Sequence, residues 1–216
     1  MPCGYNLPVA PDLLAQNFEA VAPDQKWVSG ITYIWTGEGW LYLTVILELY
    51  PRRVIGWAMA ERMTARLVCD ALTMALWRRK LPNGVIVHSD HGSPYCSAAY
   101  QALIKKHPLV CSMSTKGDCY DNAAMESWNH SFKAEAIHGE KLETRADAQK
   151  HVFEYIEVYY NRNGFIPNWA ICPLKPLNLN VSLKLSACQM RARSVSHLPT
   201  VISLNFHYSK CAMLRL

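Results

Sequence analysis

No apolar run in the 216 residues approaches the ~18 consecutive positions a membrane span needs. The opening Met1-Pro2-Cys3-Gly4 also lacks the basic-then-apolar pattern of a secretory signal. No membrane partner is expected, and the expected address is cytoplasmic. The 8 cysteines stand at positions 3, 69, 96, 111, 119, 172, 188 and 211 and form no C-x-x-C pair. Such scatter argues against a disulfide framework or a zinc cluster and for buried or incidental thiols. Acidic residues disappear altogether after Glu157, while Arg162, Lys175, Lys184, Arg191, Arg193, Lys210 and Arg215 follow. The overall charge of +5 therefore belongs to the tail, and residues 1–157 carry a slight negative excess. A basic tail can neutralise phosphates, although out-of-frame translation of a decayed gene also yields an acid-free segment. No internal repeat or low-complexity run is present.

Half of the residues are apolar, enough to bury a core in one or two domains. Residues 1–25 contain Pro2, Pro8, Pro11 and Pro23 and read as an extended lead-in, with a helical turn near Asp12–Phe18. Three strands are expected at Trp27–Trp35, Trp40–Tyr50 and Val54–Ala60, where aromatic and β-branched residues are separated by turn residues. They suit an antiparallel meander. A helix follows, with Thr64 as N-cap and a core-facing stripe of Leu67, Val68, Ala71, Leu72, Ala75 and Leu76. Cations at Arg78-Arg79-Lys80 favour its C-terminus. Val85–His88 is a short buried strand. A helix over 97–107, a strand at Val110–Met113, a helix from about Asp121 to Ile137 and another over Arg145–Tyr160 complete the order. The expected architecture is α/β, a mixed five-stranded sheet with helices on both faces and a site at the carboxyl ends of strands.

Two stretches can carry chemistry. In Val85-Ile86-Val87-His88-Ser89-Asp90-His91-Gly92-Ser93 an apolar strand ends in a carboxylate and a glycine turn, which puts Asp90 at the sheet rim. By itself such an Asp serves equally as a turn or cap residue. In Asp118-Cys119-Tyr120-Asp121-Asn122-Ala123-Ala124-Met125-Glu126-Ser127, Asp121 or Asn122 can cap a helix. Glu126 then falls in the first turn, where the helix dipole favours a carboxylate whatever its task.

Asp90 and Glu126 have 35 residues between them. Together with His88-Ser89-Asp90-His91-Gly92-Ser93 and Asp121-Asn122-Ala123-Ala124-Met125-Glu126-Ser127, this interval resembles the integrase/transposase superfamily, whose Asp, Asp and Glu bind two divalent metals. Trp27-Val28-Ser29-Gly30-Ile31-Thr32-Tyr33-Ile34 is similar to the first-Asp strand. The sequence looks most like bacterial insertion-sequence-3 transposases, over roughly Leu7 to Arg162. Leu49–Trp57 and Tyr159-Tyr160-Asn161-Arg162 fall where that family has similar segments. The resemblance implies a ribonuclease-H-like fold, DNA transposition by strand transfer, and Mg²⁺ or Mn²⁺ held by Asp90 and Glu126 as catalytic and metal-binding residues. It also implies DNA contacts from Lys133 on the same helix face, with His130 a weaker candidate, and homo-oligomeric assembly on transposon-end and target DNA.

The sequence departs from the family in one telling place. The first Asp is Gly30, which brings neither charge nor side-chain oxygen, so impaired catalysis is expected. Glu48 on the neighbouring strand is the least poor substitute; Ser29 alternates to the other side of the strand and Asp24 precedes it. The expected organisation is a lead-in over 1–25, a catalytic core over 26–162 and a divergent, poorly ordered basic tail over 163–216, with a short strand near Thr200–Phe206. The competing reading is a non-catalytic nucleic-acid-binding remnant of a decayed transposase gene.

Overall fold

Alternating aromatic and β-branched residues form β1 (Lys26–Thr36), β2 (Gly39–Glu48) and β3 (Arg53–Ala60). The computed structural model describes residues 10–114 and 122–163, all within a compact unit spanning Met1–Ala170. The short strands β4 (Ile86–Ser89) and β5 (Val110–Met113) complete a sheet of order β3-β2-β1-β4-β5. β1, β2 and β3 run antiparallel in sequence, whereas β4 lies parallel to β1 and β5 parallel to β4. This is the ribonuclease-H-like arrangement implied by the resemblance. The expected strand near Thr200–Phe206, the tail beyond Asn163 and residues 1–9 lie outside the described residues.

The helices α1 (Ala65–Arg78), α2 (Ala98–Lys106), α3 (Ala123–Phe132) and α4 (Arg145–Phe153) occupy the expected places. All six residues of the stripe on α1 are buried. Five of them, all but Leu67, pack with Trp27, Ile46, Val87, Tyr95 and Tyr100 in one core cluster. A close approach at Gly56 makes this possible: a Cβ there would collide with the Ala71 carbonyl oxygen and lie 2.8 Å from the Ala75 Cβ. Caps differ in quality. Ser97 accepts a hydrogen bond from the Tyr100 N–H, and Thr144 and Asp147 form a reciprocal capping box. Thr64 has the extended backbone of an N-cap but makes no side-chain cap bond. Two helices also continue differently from the regular 3.6-residue period: Lys133–Ile137 and Glu154–Tyr160 are π-helical.

The last described helical segment, residues 154–163, is fastened to the edge strand β3. The Asn161 side chain accepts from the Val54 N–H at 3.0 Å and donates to the Val54 carbonyl at 2.9 Å. Tyr160 donates its hydroxyl to the Arg52 carbonyl, and Glu157 receives both the Trp57 indole and the Arg78 guanidinium at 2.7 Å. The Tyr159-Tyr160-Asn161-Arg162 motif therefore has a structural task. Its amide supplies the backbone partners that a further strand would otherwise provide.

Candidate functional site

Register locates the site. Lys26, Trp27 and Val28 pair with Ile86, Val87 and His88, so Asp90, two residues past His88, lies level with Gly30. Side chains alternate along a strand, and Gly30 and Val28 share one side of β1 while Trp27 and Ser29 take the other. α3 approaches Gly30: an added Cβ there would lie 2.6 Å from the Met125 Cγ. The Asn122 amide donates to the Ser29 carbonyl at 3.1 Å and ties the start of α3 to the same stretch of β1. Asp90 thus borders Gly30 from β4, and the residue preceding Glu126 covers it from α3. The thioether of Met125 takes the space into which a first aspartate would project.

The two carboxylates have different surroundings. Asp90 is exposed as a residue, but the protein packed around its carboxyl raises its pKa from the ordinary value of 3.8. The Gly92 N–H, donating at 2.9 Å, and the charges of His91 and His88 act in the opposite direction without cancelling that rise. A Cβ at Gly92 would sit 2.8 Å from the carboxylate oxygen, so a larger residue there would displace the Asp90 carboxyl. Glu126 is also exposed, and partial burial alone raises its pKa. His88, from the same motif, is buried beneath the strand end, where its Nδ1 is 2.9 Å from the Ser112 hydroxyl. Its part is to brace β4 against β5.

Glu48, the substitute ligand weighed from the sequence, is engaged elsewhere. It pairs with Trp27, on the side of the sheet away from Gly30's Cβ direction, and is fully buried. The Asp24 N–H and the Arg79 guanidinium both reach its Oε1 at 2.7 Å, while Arg79 also binds Asp24. Burial raises the Glu48 pKa, and the hydrogen bonds and the Arg79 charge only partly offset that. Ser29 shares a hydrogen bond with the Tyr95 hydroxyl at 2.9 Å, again on the far side. Among the described residues no group of three or more His, Cys, Asp or Glu is arranged to hold a metal ion. The described side chains do not by themselves compose a two-metal centre.

On α3, His130 and Lys133 are exposed, four and seven residues beyond Glu126. Lys133 places its ammonium 4.5 Å from the centroid of the Tyr33 ring. Sequence reasoning assigned no part to three residues at this site. Met125 reads as an ordinary core position, and Asn122 as a cap, although its side chain makes no cap bond. The third is Tyr33, whose exposed ring meets Lys133. The signal for Tyr33 is the alternation Tyr33-x-Trp35 opposite Trp40-x-Tyr42, which puts four rings on one face of the β1–β2 hairpin.

Comparison with known proteins agrees with this geometry. Residues 20–119 and 126–194 each match a model described as "Integrase core domain". The chain is 58% identical over 158 residues to the transposase InsF for insertion sequence IS3A of Escherichia coli K12, covering 73% of this chain and 55% of that one. It is 47% identical over 158 residues to a 31 kDa protein of insertion element IS600 from Shigella sonnei, covering 73% of this chain and 58% of that one. The chain therefore spans little more than half the length of these relatives. Among solved structures, a chain of the simian T-cell lymphotropic virus intasome, in complex with PP2A regulatory subunit B56 gamma, superposes with a TM-score of 0.56 at 12% identity. That match covers 82% of this chain and 65% of the other. With motif order, sheet topology and sequence identity in agreement, the chain belongs to the integrase-core family that includes the transposases of insertion sequence 3.

Proposed function

We propose that this chain is the core of a DNA strand transferase of the insertion-sequence type, with its metal-dependent step impaired by Gly30. The observation that carries the reading is the filling of the first-carboxylate position by Met125 between Asp90 and Glu126. In a complete centre two cations activate the attacking oxygen and stabilise the leaving one. Asp90 and Glu126 are the ligands that remain for Mg²⁺ or Mn²⁺. Hard cations of this kind need several oxygen ligands and retain water, and two separated carboxylates leave two mutually repelling ions under-neutralised. What the chain retains is a frame for DNA: Lys133 and His130 on the exposed face of α3 contact phosphates, and the basic residues after Glu157 add charge. The partners are transposon-end and target DNA, with assembly of several copies on the DNA, in the cytoplasm.

The experiment is strand transfer on terminal-repeat DNA with Mg²⁺ or Mn²⁺, comparing the chain with Gly30→Asp. The expected result is near-absent product for the first and a measurable gain for the second. Equal activity in both would overturn the assignment of Gly30 as the defect. A second reading, a nucleic-acid binder without catalysis, is favoured by the acid-free segment after Glu157. It predicts salt-dependent DNA affinity that survives Asp90→Ala and falls when residues 176–216 are removed.

A further inference from the structure

The hairpin of β1 and β2 carries an uncovered aromatic face beside Asp90. Tyr33, Trp35 and Trp40 are 52%, 61% and 43% exposed, against the burial that large apolar side chains in a core would show. Their rings stand nearly perpendicular, Tyr33 to Trp40 at 85° with centroids 5.0 Å apart and Trp35 to Trp40 at 72° and 4.6 Å. Edge-to-face contact of this kind leaves ring faces available. Tyr33, Trp40, Tyr42, Ile31 and Met63 line a cavity of about 520 Å³ whose opposite wall is Asp90 and Gly92-Ser93-Pro94. Such a volume suits one small flat ligand. At its border, the Lys133 ammonium sits over Tyr33.

We infer that this face stacks unpaired nucleobases of a DNA strand whose phosphates run past Lys133 toward Asp90. Three features select this occupant. A base offers a flat π-surface to the rings and is sequence-tolerant in doing so. A cation at the rim answers the phosphate attached to that base. The cavity is also continuous with the carboxylate at the strand end, so a base held there places its own backbone beside Asp90. A second copy of the chain is a poorer fit, because the rim is charged by Lys133 and by the Arg145–Glu61 pair, at 3.2 Å, next to the Trp40 backbone. The inference rests on the reading that DNA reaches Asp90, but it needs no metal.

The test uses the full chain in EDTA with two probes, a blunt DNA hairpin and the same hairpin bearing a three-nucleotide 3′ tail with 2-aminopurine. The expected result is tighter binding of the tailed probe by about tenfold, with quenching of 2-aminopurine on binding. Trp40→Leu and Tyr33→Leu abolish both the preference and the quenching, whereas Tyr33→Phe keeps them; unchanged circular dichroism shows that the leucine variants fold. Binding of both probes alike, with leucine variants indistinguishable from the parent, overturns the stacking face and leaves the DNA reading intact. Binding of neither probe overturns both. A concentration-dependent dimer that Trp40→Leu dissolves, with no change in probe preference, shows that a second copy covers the face and also overturns the inference.

Discussion

The two seams that join helices to the sheet differ in kind. At the β3 edge, Asn161, Tyr160 and Glu157 each close named hydrogen bonds, and Val54 has both its backbone groups satisfied by a single side chain. At the Gly30 seam the Asn122 side-chain amide donates to the Ser29 carbonyl, while its oxygen is buried without a partner among the described residues. Burial raises the pKa of both Asp90 and Glu126 there, offset in part at Asp90 by the Gly92 N–H and the charges of His91 and His88. One seam is closed by hydrogen bonds; the other holds two carboxyls whose charged form burial disfavours.

The largest test of the contrast is Trp128→Ala. This indole stacks on Phe132 at 5.2 Å and meets Tyr155 and Tyr160, joining α3 to the latched helix, so the variant is expected to lose about 3–5 kcal/mol in urea unfolding. A loss below about 1 kcal/mol would show that the two seams are not mechanically connected. Asn161→Ala comes next, with an expected cost of about 2–4 kcal/mol because both polar groups of Val54 are left unpaired.

Gly30→Asp is expected to cost about 1–3 kcal/mol in EDTA, since Met125 must leave its rotamer to admit a side chain. Mn²⁺ should then raise the melting temperature of Gly30→Asp and leave that of the parent chain nearly unmoved. Equal Mn²⁺ responses would place the metal elsewhere. The smallest effect concerns pH. A carboxyl whose folded pKa is raised favours folding most when protonated, below its ordinary value of 3.8, and this advantage fades as pH climbs through the folded value. Asp90→Asn, which can still accept from Gly92, should therefore be slightly more stable than the parent at neutral pH. The two should converge near pH 3, as read by thermal melts across the range.

Much of the fold was legible because patterning follows burial. The stripe on α1 and the aromatic and β-branched runs of β1 to β3 announce which faces are inside. The site was legible in part: a strand-end Asp and a first-turn Glu at a suggestive interval. What stayed hidden depends on contacts between distant residues. Glu48 could be weighed as a substitute ligand only until Arg79 and Asp24 were seen to hold it on the other side of the sheet. Met125 and Gly30 meet across 95 residues of chain, and no local pattern reports such a contact. The π-helical stretches at Lys133–Ile137 and Glu154–Tyr160 likewise left no mark in the local pattern.

The Asn161 amide also bears on how copies of this protein avoid one another. An outermost strand offers a ladder of free donors and acceptors to any passing chain. By occupying Val54 from the side, one polar residue interrupts that ladder and denies a foreign strand continuous register. Its loss would show itself first as fibril-prone self-association, before any deficit in handling nucleic acid.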